Sequence, residues 1–381
     1  MKTINLNNLD KSEWRTYRFD EIAKNVSERV DPITTDLKVY IGLEHVDPES
    51  IHIRRTGTPD DVKGQKLKGC PGDVIFGKRR AYQRKASILT EESICSAHAF
   101  ILRANPEVID SKLFPFFLHS DAFMHRMIDI SVGGLSPTIN WGTLKSQEFL
   151  LPPEDQQSGL AELLWSMDEV IERYTKIGDS LRLVSQSVQK DFFEQELKYD
   201  VVNLGSLVSI KSGDSPSKFK FVCKESGVPF YKVKDMNSSI KYQNFAKEWV
   251  EPNDKKIVDS QNIIFPKRGA AIMTNKVRIT CEKCHVDTNT MALEITDKSR
   301  LSVDYLYYFL LFKGLYKIAD TAQIPQINNK HINPYPINLP PLNIQNNICR
   351  KLNGILDTNG NNTTHINSSK SLNKSLINQV F

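Results

Sequence analysis

The densest candidate chemistry in this chain lies in Lys78-Arg79-Arg80-Ala81-Tyr82-Gln83-Arg84-Lys85. Five cations and a tyrosine follow directly on the apolar run Val74-Ile75-Phe76, which reads as a strand. Cations displayed at a strand end neutralise phosphates, and Arg and Gln reach base edges bidentately. A second set stands in the same place further along, after Ile263-Ile264-Phe265: Lys267-Arg268-Gly269, with Lys276 and Arg278. Most charge runs are solvated hairpins. Recurrence after the same kind of strand favours DNA contact. Lys211 to Lys218 is another candidate, a polar loop offering Ser212, Ser215, Ser217 and Lys218. Tyr231-Lys232-Val233-Lys234 is a third and weaker one.

Catalytic patterns are poor by comparison. Asn333-Pro334-Tyr335-Pro336 lacks the consecutive prolines of an adenine methyltransferase motif, and no Gly-rich cofactor loop follows an early strand. Pro59-Asp60-Asp61-Val62-Lys63 compresses nuclease-like carboxylates into one loop. Cys281-Glu282-Lys283-Cys284-His285 has haem-attachment spacing but reads as structural, and zinc would need another ligand pair. No phosphate-cradling Gly-x4-Gly-Lys-Ser/Thr loop is present, so ATP binding is not expected. The expectation is no catalytic site, no metal and no cofactor.

The elements that must position the basic loops come as a duplication. Ser136-Pro137-Thr138-Ile139-Asn140 and Ile324-Pro325-Gln326-Ile327-Asn328 are 188 residues apart. Phe149-Leu150-Leu151-Pro152-Pro153 and Ile337-Asn338-Leu339-Pro340-Pro341 share that offset. A helical pattern follows each Leu-Pro-Pro, the first opened by Glu154-Asp155. The first seam is Leu160, Leu164, Met167, Ile171, Tyr174, Leu181, Val188 and Phe192, alternating four and three. The second is Ile348, Leu352, Ile355, Ile366, Leu376 and Val380, with Asn and Ser between them. Asn359-Gly360-Asn361-Asn362 predicts a kink or break there. Each helix needs a partner for its stripe, and the other copy is the natural one.

The expected class is mixed α/β, with two tandem α/β units separated and followed by long coiled-coil helices in a pseudo-twofold internal repeat. The expected boundaries are 1–151, a central helix 152–198, 199–339, and a C-terminal helix 340–381. Strands are expected at Val39–Leu43, Asp73–Phe76 and Ala99–Leu102, with helices at Leu113–Ile128 and Val303–Ile318. The aromatic-rich spacing of Tyr305, Leu306, Phe309, Leu310 and Tyr316 reads as core rather than as base-stacking.

Composition fits this plan. The 381 residues allow two or three domains, and the net charge of +5 leans mildly toward polyanions. Met1-Lys2-Thr3-Ile4-Asn5-Leu6 has no apolar leader, no run suits a membrane span, and six scattered cysteines read as reduced thiols. A cytoplasmic protein is expected.

Two α/β units, each closed by Leu-Pro-Pro and a heptad helix, resemble the specificity subunits of type I restriction–modification systems across nearly the whole chain. The carrying residues are Gly72-Asp73-Val74-Ile75-Phe76 with its basic run, Gly213-Asp214-Ser215-Pro216-Ser217, Ile324–Asn328 and both Leu-Pro-Pro junctions. In the first unit Ser27-Glu28-Arg29-Val30-Asp31-Pro32 stands in place of the Gly-x-x-Pro-Ser loop. The resemblance implies two target recognition domains, each reading half of a bipartite double-stranded target. It implies helices that space them and dock two modification methyltransferase subunits, with restriction motor subunits joining through the complex. Catalysis, S-adenosylmethionine and ATP would then belong to partners. Replacing Arg79 and Arg84 together is expected to weaken one half-site only. The competing readings are a bipartite-site combined restriction–modification enzyme's recognition subunit, which neighbouring genes would separate, and a coiled-coil scaffold in which the basic loops are dispensable.

Overall fold

A computed structural model of the chain describes residues 11–194, 199–253 and 256–381. The leader reading at Met1–Leu6 lies outside the described residues. The chain forms two compact units, Met1–Ile177 with Asn362–Phe381, and Gly178–Asn361. No described helix is long and apolar enough to cross a membrane.

The first unit contains β1 (Arg15–Arg18), α1 (Phe19–Ile22), β2 (Ala23–Val26), β3 (Arg29–Val30), β4 (Tyr40–Ile41), β5 (Lys66–Gly69), β6 (Val74–Gly77), β7 (Ala86–Ile88), β8 (Ser93–Cys95) and β9 (Ala99–Ala104). Then come α2 (Phe114–His119), α3 (Asp121–Asp129), α4 (Trp141–Leu144), β10 (Glu148–Leu151) and the start of α5 (Glu154–Phe193). One sheet runs β2-β9-β6-β7, a second β3-β5-β8-β4, and β1 pairs with β10. Both faces of β6 and β9 are covered, which is why they are continuous apolar runs. Val74, Phe76, Phe100 and Leu102 point to the helices, while Ile75 and Ile101 point to the second sheet. That alternation is the period of a strand. The expected helix at Leu113–Ile128 is two helices, because Ser120 turns extended (φ −63°, ψ 152°) and its hydroxyl caps α3 through Phe123 N.

The second unit contains the end of α5, then β11 (Val201–Asn203), β12 (Val208–Ser212), β13 (Phe221–Val222), β14 (Val228–Tyr231), β15 (Tyr242–Gln243) and β16 (Trp249–Val250). It continues with β17 (Ile263–Pro266), β18 (Arg278–Thr280), β19 (His285–Val286), β20 (Thr290–Ile295), α6 (Val303–Lys313), α7 (Asn329–Ile332), β21 (Pro336–Asn338) and the start of α8 (Leu342–Val380). Its sheets run β12-β20-β17-β18-β15 and β13-β16-β14-β19, with β11 paired to β21. Ile263 and Phe265 face α6, and Ile264 faces the smaller sheet. Tyr305, Leu306, Phe309 and Leu310 are buried. Tyr316, expected beside them, is exposed: Gly314 (φ 78°) ends α6, and the 3-10 turn Leu315–Ile318 carries its ring outward.

α5 and α8 have 40 and 39 residues, about 60 Å each at 1.5 Å per residue. The seam positions named above are all buried or half-buried. In the first unit Leu160 and Leu164 share an apolar cluster with Leu376 and Val380, and Tyr174 stacks on His365 at 5.2 Å. In the second unit Val188, Phe192 and Phe193 pack in one cluster with Ile348 and Leu352. Phe381 meets Phe117 at 5.3 Å, and Phe193 meets Tyr305 at 5.6 Å. The expected break at Asn359–Asn362 does not occur. Asn362 is buried and donates from Nδ2 to the Tyr174 carbonyl at 2.9 Å, so packing overrides weak propensity. The expected extension of α5 beyond Glu194 falls on 195–198, outside the described residues.

Two histidines give the first unit opposing pH dependences. His52 Nε2 lies 2.6 Å from Asp168 Oδ2, and that bond, against the cost of burial, raises the imidazole above its ordinary range. This stability is present below pH 6.5 and is lost as pH rises through the raised value. His119 is buried with Nε2 on the Ala86 carbonyl, and burial pushes it down to about 4. Its contribution is present above pH 6.5 and is lost as pH falls toward that value. The larger shift wins, at about 3 kcal/mol. The thermal midpoint of this unit should therefore fall between pH 7 and 4.5 by scanning calorimetry, and a rise would contradict the assignment.

Candidate nucleic-acid interface

In the first unit β6 delivers the chain into the basic run, which turns through Ala81–Gln83 between two left-handed residues, Arg80 (φ 54°) and Arg84 (φ 51°). A strap crosses it. Arg80 N donates to the Pro137 carbonyl at 2.8 Å, and Ile139 N to the Lys78 carbonyl at 2.9 Å. Buried Ile139 anchors the strap, while Leu135 at its tip is 98% exposed. In the second unit β17 leads to the turn Ala270–Thr274, again between left-handed positions, Gly269 (φ 81°) and Asn275 (φ 48°). Gly269 N donates to the Pro325 carbonyl and Ile327 N to the Lys267 carbonyl, both at 2.8 Å. The two repeat marks of the sequence are thus clamps on the two basic loops, a role their spacing alone did not announce.

The side chains of the run divide sharply. Arg79, Arg80 and Tyr82 are exposed. Lys78 is half-buried with Nζ 5.3 Å from the Phe100 ring centre, and loss of hydration lowers its affinity for a proton. Lys267 is lowered for the same main reason. Arg268 is exposed and Lys276 half-buried.

Arg84 must be withdrawn from the DNA-contact set. Its Nη1 lies 2.7 Å from Asp121, its Nε 3.3 Å from Glu49, and its Nη2 donates to the His119 carbonyl at 2.7 Å. Its backbone conformation turns the guanidinium inward. Lys85 is half-buried, and its Nζ donates to the Leu43 carbonyl at 2.5 Å. Arg278 is only 9% exposed and donates to Ser239 Oγ and to the Val277 and Met236 carbonyls. Burial disfavours its charge, and its position on β18 makes it a structural residue.

The loop after β12 is held rather than free. Asp214 pairs with Lys256 and with Lys218, the latter at 3.1 Å, and the Lys256 bond leads in holding its carboxyl below the ordinary range. Ser215 and Ser217 hydroxyls bond each other at 2.8 Å, and Ser212 is exposed. A Cβ on Gly213 would fall 1.9 Å from the Asp287 carbonyl oxygen, so only glycine fits there.

Arg80 invites a paired test of strain against function. The same position is Gly269 in the other unit, yet here a bulky residue keeps φ 54°. Arg80→Gly should gain up to about 1 kcal/mol of stability while weakening duplex binding in a titration. Lower stability together with unchanged binding would mean that the residue is there for the fold.

The remaining motifs are dispersed. Cys281 is exposed, Cys284 is buried with its thiol pushed up, and His285 Nε2 accepts from Asn253 N at 3.0 Å. Tyr335 packs on Phe309 at 6.0 Å. Thr58 N donates to Asp61 Oδ2 at 2.6 Å in an exposed turn. Among the described residues no group of three or more His, Cys, Asp or Glu is placed to hold a metal ion.

Sequence reasoning missed one pair of positioning residues. Gln157 is buried where α5 begins. Its Oε1 accepts from Asp110 N at 2.6 Å, and its Nε2 donates to the Val108 and Pro152 carbonyls, each at 2.9 Å. Gln345 does the same where α8 begins, with Ser302 N (2.9 Å) and the Arg300 (2.8 Å) and Pro340 (2.7 Å) carbonyls. The signal was available: both copies read Leu-Pro-Pro-x-x-x-Gln.

Comparison with known proteins gives one consistent family. A model of the type I restriction modification DNA specificity domain matches residues 196–369. The type I restriction enzyme MjaIX specificity subunit of Methanocaldococcus jannaschii is 25% identical over 242 residues, 55% of each chain. That match thus spans about half the relative's length. The putative MjaX specificity subunit of the same organism is 22% identical over 348 residues, 83% of this chain and 79% of that one. Among solved structures, the type I restriction–modification S subunit from M. genitalium superposes with a TM-score of 0.62 at 15% identity over 98% of both chains. A chain from a study of assembly and conformational transition of the type I system gives 0.61 at 19% identity over 96% and 97%. Those two likenesses establish a shared fold.

Proposed function

Because this chain belongs to the type I restriction–modification specificity subunit family, we propose that it reads a two-part target in double-stranded DNA and carries no catalytic site of its own. The two units are taken as tandem target recognition domains related by an internal pseudo-twofold repeat. The observation that carries this reading is the strapped basic loop at the end of β6 and again at the end of β17. One cationic loop would serve many proteins. Two built alike, each beside a long helix, suit a split site whose gap follows from the separation of its readers.

The readers are Lys78, Arg79, Arg80 and Tyr82 in one unit and Lys267, Arg268 and Lys276 in the other, with Ser212, Ser215, Ser217 and Lys218 at the edge of the second; Arg79, Arg80, Tyr82 and Arg268 are the exposed members of the two loops. The helices act as spacers packed along a coiled-coil seam. Val170, Ile177 and Val184 are exposed on α5 at seven-residue spacing. An apolar stripe of that kind suits a partner protein, and modification methyltransferase subunits, one for each half of the site, are the partners this family implies. Methyl transfer and translocation belong to those subunits and to the restriction motor, in the cytoplasm.

Selection of the purified methyltransferase complex against a pool of randomised duplexes tests the reading. Two short motifs at one fixed separation are expected to be enriched. Enrichment of one continuous motif, or of none, would sink it.

A further inference from the structure

Beside the basic loop of the first unit lies a cleft of about 260 Å³, walled by Asn25, Arg29, Gln65, Lys66, Lys78 and Phe100. Three cations converge there from β3, β5 and the end of β6. Arg29 Nη1 donates to Gln65 Oε1 at 3.3 Å. Lys66 Nζ donates to the Lys63 and Gly64 carbonyls, the latter at 3.1 Å. Lys78 sits over Phe100. Among the described residues none of the three forms an ion pair, although nearby Lys68 pairs with Glu92 at 3.3 Å and Arg103 with Asp73 at 2.6 Å. Arg79 adds a fourth cation at the rim, with Nη1 3.5 Å from His98 Nε2. Lost hydration first, and then Arg79, Lys78 and Lys66, lower the affinity of His98 for a proton.

Like charges gathered without a counter-ion repel one another in the free protein, and an anion relieves them. A guanidinium fork with two ammonium groups matches the oxygens of a phosphodiester. The geometry points to a phosphate clamp for the backbone of duplex DNA, present in the first unit alone, with Arg29, Lys66 and Lys78 as its grip. This rests on the DNA-reading function above and assigns it an uneven distribution. In the second unit Lys267, which follows β17 as Lys78 follows β6, feels the carboxylates of Asp287 and Asp214. Those carboxylates disfavour an anion beside Lys267.

The clamp is tested on the full chain with a random-sequence 40-base-pair duplex, measuring affinity against salt. The triple variant Arg29→Gln, Lys66→Gln, Lys78→Gln should flatten the slope of log affinity on log salt by about 1. The control Lys68→Gln should leave the slope unchanged. The DNA-free triple variant should also melt at or above the wild-type temperature, because its substitutions remove repulsion. An unchanged slope in a folded triple variant that still binds duplex would overturn the clamp and leave DNA reading intact. Failure of the wild type to bind duplex at any salt would overturn DNA reading itself, and the clamp with it.

Discussion

Gln345→Leu should cost the second unit about 3–5 kcal/mol, read as a large drop in its urea midpoint. The side chain is fully buried and serves three backbone groups, Ser302 N, Arg300 O and Pro340 O. Leucine is close in volume, so the substitution leaves no large cavity. It does leave one donor and two acceptors without a partner, and each orphaned group costs about 1–3 kcal/mol. These groups join the start of α8 to the segment leading into α6, so the damage falls on the seat of the helix. Gln157→Leu should act likewise in the first unit through Asp110 N, Val108 O and Pro152 O. A loss under about 1 kcal/mol in both variants would show that water or rearrangement satisfies these groups and that the latch is not what seats the helices.

Arg79→Ala with Arg80→Ala should leave the thermal midpoint nearly unchanged and weaken binding to one half-site on the order of 10- to 100-fold. Both side chains are exposed on the strapped turn. Arg84→Ala, five residues on from Arg79, should do the reverse in kind. It removes the partner of Asp121, Glu49 and the His119 carbonyl, and should lower stability by about 2 kcal/mol, less than a fully buried pair because both carboxylates retain some solvent. Any loss of binding in Arg84→Ala should follow its loss of folded protein. Binding by duplex titration and unfolding by calorimetry separate the two. A destabilised Arg79–Arg80 variant, or an Arg84 variant that is stable yet blind to one half-site, would reverse the division of roles.

That division marks where the sequence stopped being legible. The strand before the run could be read, because Val74–Phe76 is apolar on both faces and ends in cations. Which of five cations points outward depends on the left-handed backbone at Arg80 and Arg84, and residue types alone do not reveal it. Arg278 illustrates the same limit: its place on β18 takes the guanidinium under Ser239 and Met236. The helices were legible through their period, since Leu160, Leu164, Ile348 and Leu352 mark the buried stripe. The uninterrupted course of α8 was not, because the partner of Asn362 is a carbonyl 188 residues away in the chain. The straps across the basic loops were visible as repeated motifs but not as contacts, since a recurring Pro-x-Ile-Asn does not say what it touches.

Under the proposed function, this chain chooses the DNA sequence on which a methyltransferase acts. The most direct measurement is base-resolution methylation mapping of the host genome with and without the gene. One split motif, two short parts around a fixed gap, should be methylated in the parent, lost on deletion and regained on complementation. An identical methylation map in the two strains, with the protein made and the methyltransferase active, would contradict it.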